Sequence, residues 1–245
     1  MTDEAVVPVT GLSQVERVVD TFVAPSKTFT DILRSANWVL PFLLMVVMAY
    51  AGSFTIARQV GWAQVIENQM QSSPKSQEAM AELTPEARAQ RMKVSVAIAK
   101  GISYVTPLFI LIVGAIVSLV LWATFNFGLG AQTKFNEVLC VWMYASLPKL
   151  LITFIMILML FLGNSQESFD PSFPAGTNLG YYLVDSAKWL RTLLSWFDLV
   201  GIWSLALLVI GMAIVAKKSI AQSTAVVVGW WVLCLLVAVG VAAIS

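Results

Sequence analysis

Long uncharged stretches alternate with shorter charged ones along this chain, and their lengths predict where it crosses a membrane. Between Arg34 and Arg58 lie 23 residues with no Asp, Glu, Lys or Arg, between Lys100 and Lys134 lie 33, between Lys149 and Glu167 lie 17, between Asp198 and Lys217 lie 18, and after Lys218 lie 27. A helix needs about 20 mostly apolar residues to cross the hydrocarbon core. Five spans follow, at roughly 38–57, 102–125, 138–163, 197–216 and 224–244. The third reaches that length only by taking in Pro148 and Lys149, so a kink or break is expected there. Trp38, Trp122, Trp142, Trp203, Trp230 and Trp231 fall within the spans, some near ends where an indole straddles the apolar and wet layers.

Between the spans the periodicity becomes amphipathic. Ser13 and Glu16 have the spacing of a capping box, and Val15, Val18, Val19, Phe22 and Val23 form one stripe, so a short helix over 13–23 is expected to lie on the bilayer surface or under the bundle. Thr84-Pro85-Glu86 supplies an N-cap, a proline for the first turn and a carboxylate for the helix dipole, which starts a helix running into span two. Ahead of it, Gln69 to Ala79 reads as a solvated connection, and 164–180, dense in Asn, Pro, Gly and Ser, as irregular. From Tyr181 to Phe197, Leu183, Ala187, Leu190, Leu194 and Phe197 recur at helical spacing, a second interfacial helix feeding span four. The expected fold is thus all-α: five transmembrane helices with amphipathic interfacial helices before spans one and four, divided into a 1–37 N-terminal segment and a 38–245 membrane domain.

Composition agrees with a membrane protein and narrows its chemistry. Apolar residues make up 58% and charged residues 12%, with a mean hydropathy of +0.81, where soluble domains carry roughly a quarter charged residues. Fifteen Lys and Arg against fourteen Asp and Glu leave no basic surface for nucleic acid. Histidine is absent, which removes the commonest general base and metal ligand, and Cys140 and Cys234 both lie in apolar runs as small buried hydrophobes. No cofactor is expected. The first 34 residues hold no apolar signal-peptide core, so the first span is expected to be an uncleaved anchor. Orientation is finely balanced, with six basic residues in the inner segments and eight in the outer ones for an inside N-terminus. The short connection 217–223 carries Lys217 and Lys218, which favours the N-terminus inside and the C-terminus outside.

Charged groups inside a span cost about 2.5–3.5 kcal/mol on insertion scales, which singles out Lys149 and Asp198. With helices as placed above, the two differ in depth by roughly 19 Å, so an ion pair needs a break at Pro148 or a helix continuing from 181. Otherwise Asp198 is interfacial, and Lys149 snorkels or bonds carbonyls freed at the proline. Ser146 and Lys149 also have the spacing of a serine–lysine dyad, without a visible oxyanion hole. Gly114 with Ser118, Ala225 with Gly229 and Ala238 with Ala242 are small pairs that permit close helix approach.

Three segments carry a family resemblance. Phe22-Val23-Ala24-Pro25-Ser26-Lys27-Thr28-Phe29 followed by Trp38-Val39-Leu40-Pro41 is similar to the Pro, Phe, Trp and Pro pattern that opens many prokaryotic members of the Yip family, named for interaction with Ypt/Rab GTPases. Val141-Trp142-Met143-Tyr144-Ala145-Ser146-Leu147-Pro148 resembles that family's Tyr-Ala-Ser-Leu-Pro element. Phe197-Asp198-Leu199-Val200-Gly201-Ile202-Trp203, with Gly229-Trp230-Trp231 in span five, resembles its Asp-x-x-x-Ile-Trp element. The resemblance covers nearly the whole chain and implies a five-span, multi-pass protein, of the bacterial cytoplasmic membrane in the prokaryotic branch. Rab-binding relatives carry a longer N-terminal region with an Asp-Leu-Tyr-Gly-Pro element, which is missing here, so a Rab-type GTPase is a doubtful partner.

Residue types and resemblance together point to a non-enzymatic protein that organises other membrane proteins, copies of itself or local lipid. The alternative is a small transporter, channel or auxiliary transport subunit using Lys149 and Asp198. Candidate functional or packing residues are Pro25, Phe29, Pro41, Tyr144, Ser146, Pro148, Lys149, Asp198 and Trp203.

Overall fold

A computed structural model describes residues 11–71, 74–163, 169–183 and 186–244. It is helical, with no strand among the described residues. Ser13 begins α1 (Gln14–Val23) with the capping box its spacing predicts: the Glu16 N–H donates to Ser13 Oγ and the Ser13 N–H to Glu16 Oε2. Pro25 then opens α2 (Pro25–Ile32), a helix that the hydrophobic pattern does not announce. The two form an antiparallel hairpin.

The membrane spans follow as α3 (Val39–Gln59), α6 (Pro85–Ala123, continued by a π turn to Gly128), α7 (Phe135–Ala145) with α8 (Leu150–Phe161), α9 (Lys188–Ser195) with α10 (Leu199–Val215), and α11 (Ile220–Ile244). Four helices are long and apolar enough to cross a membrane, five with the pair α9–α10, which bends by 50°. Thr84 caps α6 through the Ala87 N–H, as predicted.

Two segments differ from expectation. Residues 69–79 fall largely within α4 (Trp62–Gln71) and α5 (Pro74–Ala81), because Val65 buries itself against Ile56, Met156 and Leu160 and gives the segment a seat. The helix before span four starts at Lys188 rather than Tyr181, since Asn178 accepts from the Tyr181 N–H and winds 179–181 into a single 3-10 turn. Of the irregular loop expected at 164–180, residues 164–168 lie outside the described ones and 169–178 have no helix.

Phe135, Val215 and Ile220 mark one face of the bundle, called the base below. The main core lies toward that face. Every residue from Val138 to Ala145 except Trp142 is buried, so α7 is enclosed on all sides by α6, α10 and the N-terminal hairpin. A methyl group at Gly114 would come within 2.6 Å of the Trp142 ring, so the Gly114–Ser118 pair does let α6 and α7 close up. The Ala225–Gly229 pair does not act within the chain: both residues are exposed on α11, and a methyl at Gly229 would meet nothing within 4 Å. Cys140 is buried as expected, but Cys234 is exposed.

Candidate functional site

The candidate residues separate into two groups, one packed against the N-terminal hairpin and one around a cavity. The first lies toward the base, where α1 and α2 lean on α7 and α10. Phe29 is fully buried, and a methyl at Gly211 would come within 2.5 Å of Val141 and 3.0 Å of the Phe29 ring, so α2 fits α10 only because position 211 has no side chain. Burying one Phe contributes about 1.5–3 kcal/mol. Phe22 meets Trp203 edge to face at 5.6 Å between centroids, and the Tyr144 hydroxyl donates to Gln14 Oε1 at 2.9 Å. Pro25 sits in the first turn of α2, where its missing N–H costs nothing, and Pro41 is buried in the first turn of α3.

Arg17 holds this hairpin together and was not among the candidates. It is fully buried; Nε donates to Asp31 Oδ2 at 2.6 Å, one terminal nitrogen to the Ser35 carbonyl at 2.7 Å and the other to the Asp31 carbonyl at 3.2 Å. Thr21 and Thr28 both donate to the Arg17 carbonyl. Asp31 also accepts from Arg34, and that bond, with Arg17 behind it, holds its carboxyl below the ordinary value near 3.8. The orientation of α1 differs from that expected of an amphipathic helix on a soluble core. Arg17 and Thr21 face the bundle, with Val18 and Phe22 on the flank, while Val15, Val19 and Val23 of the stripe turn outward.

The second group surrounds a cavity of about 660 Å³ between α6, α7, α8, α10 and α11. Span three breaks at 147–149, where Pro148 starts one 3-10 turn, and span four breaks between Ser195 and Leu199. Counted from the base at about 1.5 Å per residue, Lys149 stands about 21 Å up span three and Asp198 about 25 Å up at the head of α10, so the two lie at nearly one level because α10 is much shorter than span three. Both line the cavity, as does Ser146. Asp198 caps α10, its Oδ1 accepting from the Gly201 N–H at 2.8 Å and its Oδ2 from the Thr177 hydroxyl. The loop 172–178 thereby closes the cavity on the side away from the base.

The Lys149 ammonium makes neither a hydrogen bond nor an ion pair among the described residues. Lys149 is exposed and is one of the residues lining the cavity. The Lys149 backbone N–H donates to the Ser146 carbonyl at 3.1 Å, but among the described residues no hydrogen bond joins the two side chains. Sequence reasoning missed Thr177, Ser204 and Gly211. Asp198 alone carried a readable signal, an N-cap residue before an apolar run.

Multi-pass architecture, an N-terminal hairpin seated on spans three and four, and breaks in those same spans define a helical membrane protein of one recurrent layout. The Yip1 domain matches residues 19–241, and the chain belongs to the Yip1 domain family. No curated protein and no solved structure matches it.

Proposed function

We propose that this protein is a non-enzymatic organiser of other membrane proteins in a bacterial cytoplasmic membrane, with its N-terminus inside and its C-terminus outside. The observation that carries the reading is the outward face of α11. Ala221, Ala225 and Gly229 recur every fourth residue, all are exposed, and Gly229 is open on its Cα side. Small residues at that spacing let a second helix approach closely in lipid, where packing rather than water exclusion drives association. Within the chain α11 rests on α9 and α10, so the stripe is left for another membrane protein or a second copy. Lys217 and Lys218, in the short turn before α11, support the orientation.

The test is crosslinking in native membranes followed by affinity purification against an unrelated five-span control. The double variant Ala225→Leu with Gly229→Leu should lose most of the partner recovered with the wild type, while its own abundance stays unchanged. Equal recovery from both chains would overturn the reading.

A further inference from the structure

We infer that the cavity between spans two to five is a binding site for a single-chain lipid anion, with its head on Lys149 and Ser204 and its chain running toward the base. This goes beyond the organiser reading and uses none of the α11 stripe.

Three observations converge. First, Lys149 presents an ammonium with three donors to a cavity inside the membrane domain, and no acceptor among the described residues takes any of them. Asp198, the one acidic residue among the described residues lining the cavity, has one oxygen committed to Gly201 and the other to Thr177. A cation in apolar surroundings is costly until an anion or strong acceptors reach it. Second, Ser204, 5% exposed and one of the residues lining the cavity, has a hydroxyl with no hydrogen-bond partner. It stands about 16 Å above the base, within one helical turn of the level of Lys149. Third, the polar groups collect at the upper end. Below them the walls are Leu121, Trp142, Leu208, Val227 and Trp230, an apolar sleeve descending to about 10 Å above the base.

That polarity is the polarity of an amphiphile. Its head would lie about two-thirds of the way across a core of about 30 Å, beneath the loop 172–178, and its chain in the hydrocarbon layer. The volume is that of a site for one small molecule, which suits an amphiphile with a single chain. A carboxylate and a phosphate monoester would satisfy Lys149 and Ser204 alike, so fatty acids and lysophosphatidates share the required chemistry.

Trp142, Trp196, Trp230 and Trp231 line the cavity and serve as the reporter. Purified full-length protein in detergent is titrated with a dibrominated stearate, whose bromines quench indole fluorescence on contact. Saturable quenching is expected, displaced by oleate and by oleoyl lysophosphatidate but not by oleyl alcohol; the more potent anion identifies the head. Lys149→Met should weaken binding at least about 10-fold, Lys149→Arg by less than about 3-fold, and Ser204→Ala by about 3-fold. Displacement by oleyl alcohol as effective as by oleate would overturn the proposal on the wild-type protein alone, whatever the variants do. Unaltered binding by a folded Lys149→Met chain would overturn it equally.

Discussion

Arg17 and Lys149 are both cations set among apolar helices, and the chain treats them in opposite ways. At the base, Arg17 spends its donors on Asp31 and on two carbonyls, and the hairpin it closes packs Phe29 against Val141 and Gly211. Farther up span three, Lys149 lines a cavity with its ammonium donors unspent among the described residues. The contrast separates residues that hold the fold from residues held ready by it. Tyr144 and Lys149 stand five positions apart in the same segment and fall on opposite sides of that division.

The strongest way to break the comparison is to remove each charge in turn. Arg17→Met should cost about 3–5 kcal/mol, because it strips a buried pair of one partner. Lys149→Met should leave stability unchanged or raise it, since no native bond is lost. Thermal unfolding of the purified chains checks both, and equal losses would erase the distinction. Next come two glycines. Gly211→Ala should destabilise by about 1–3 kcal/mol by pushing Val141 and Phe29 away. Gly229→Ala, open on all sides and helical, should stabilise by up to about 1 kcal/mol, an opposite sign in the same assay. Tyr144→Phe removes the bond to Gln14 and should cost about 0.5–1.5 kcal/mol, read as faster proteolysis of the N-terminal segment.

The smallest effect is that of pH. A carboxyl lowered by folding contributes stability above its ordinary value and loses it as pH falls through the lowered one. Asp31 should therefore leave the hairpin undisturbed from pH 7 to 5 and loosen it only below about 3.8. Hydrogen exchange of 14–32 measures this, and Arg34→Gln should shrink the loss on acidification, because the Arg34 bond is the chief cause of the lowering and its removal brings the carboxyl back toward its ordinary value.

Much of the architecture was legible because membrane insertion depends on local length and charge. Uncharged stretches located the spans, and the Ser13–Glu16 and Thr84–Pro85 signals located helix starts that the structure reproduces. The hairpin was not legible. Pro25 to Ile32 has no apolar run, and the apolar stripe of α1 points away from the protein, since lipid accepts Val15, Val19 and Val23 as readily as a core does. The approach of Lys149 to Asp198 was legible only in part. Pro148 announced one break, but the bend before Asp198 depends on Thr177, which is 21 residues distant.

The hairpin also sets an order on biogenesis. Its residues leave the ribosome before any of the spans, yet its seat includes Gly211, about 180 residues later, an interval of roughly 10–40 s at typical synthesis rates. Throughout that time the Arg17–Asp31 pair can hold α1 and α2 together, but Phe29 has no complete socket. Docking of the hairpin is thus a late event that certifies the arrival of span four, and a nascent chain stopped after span three would display Phe29 to whatever quality-control machinery surveys the membrane.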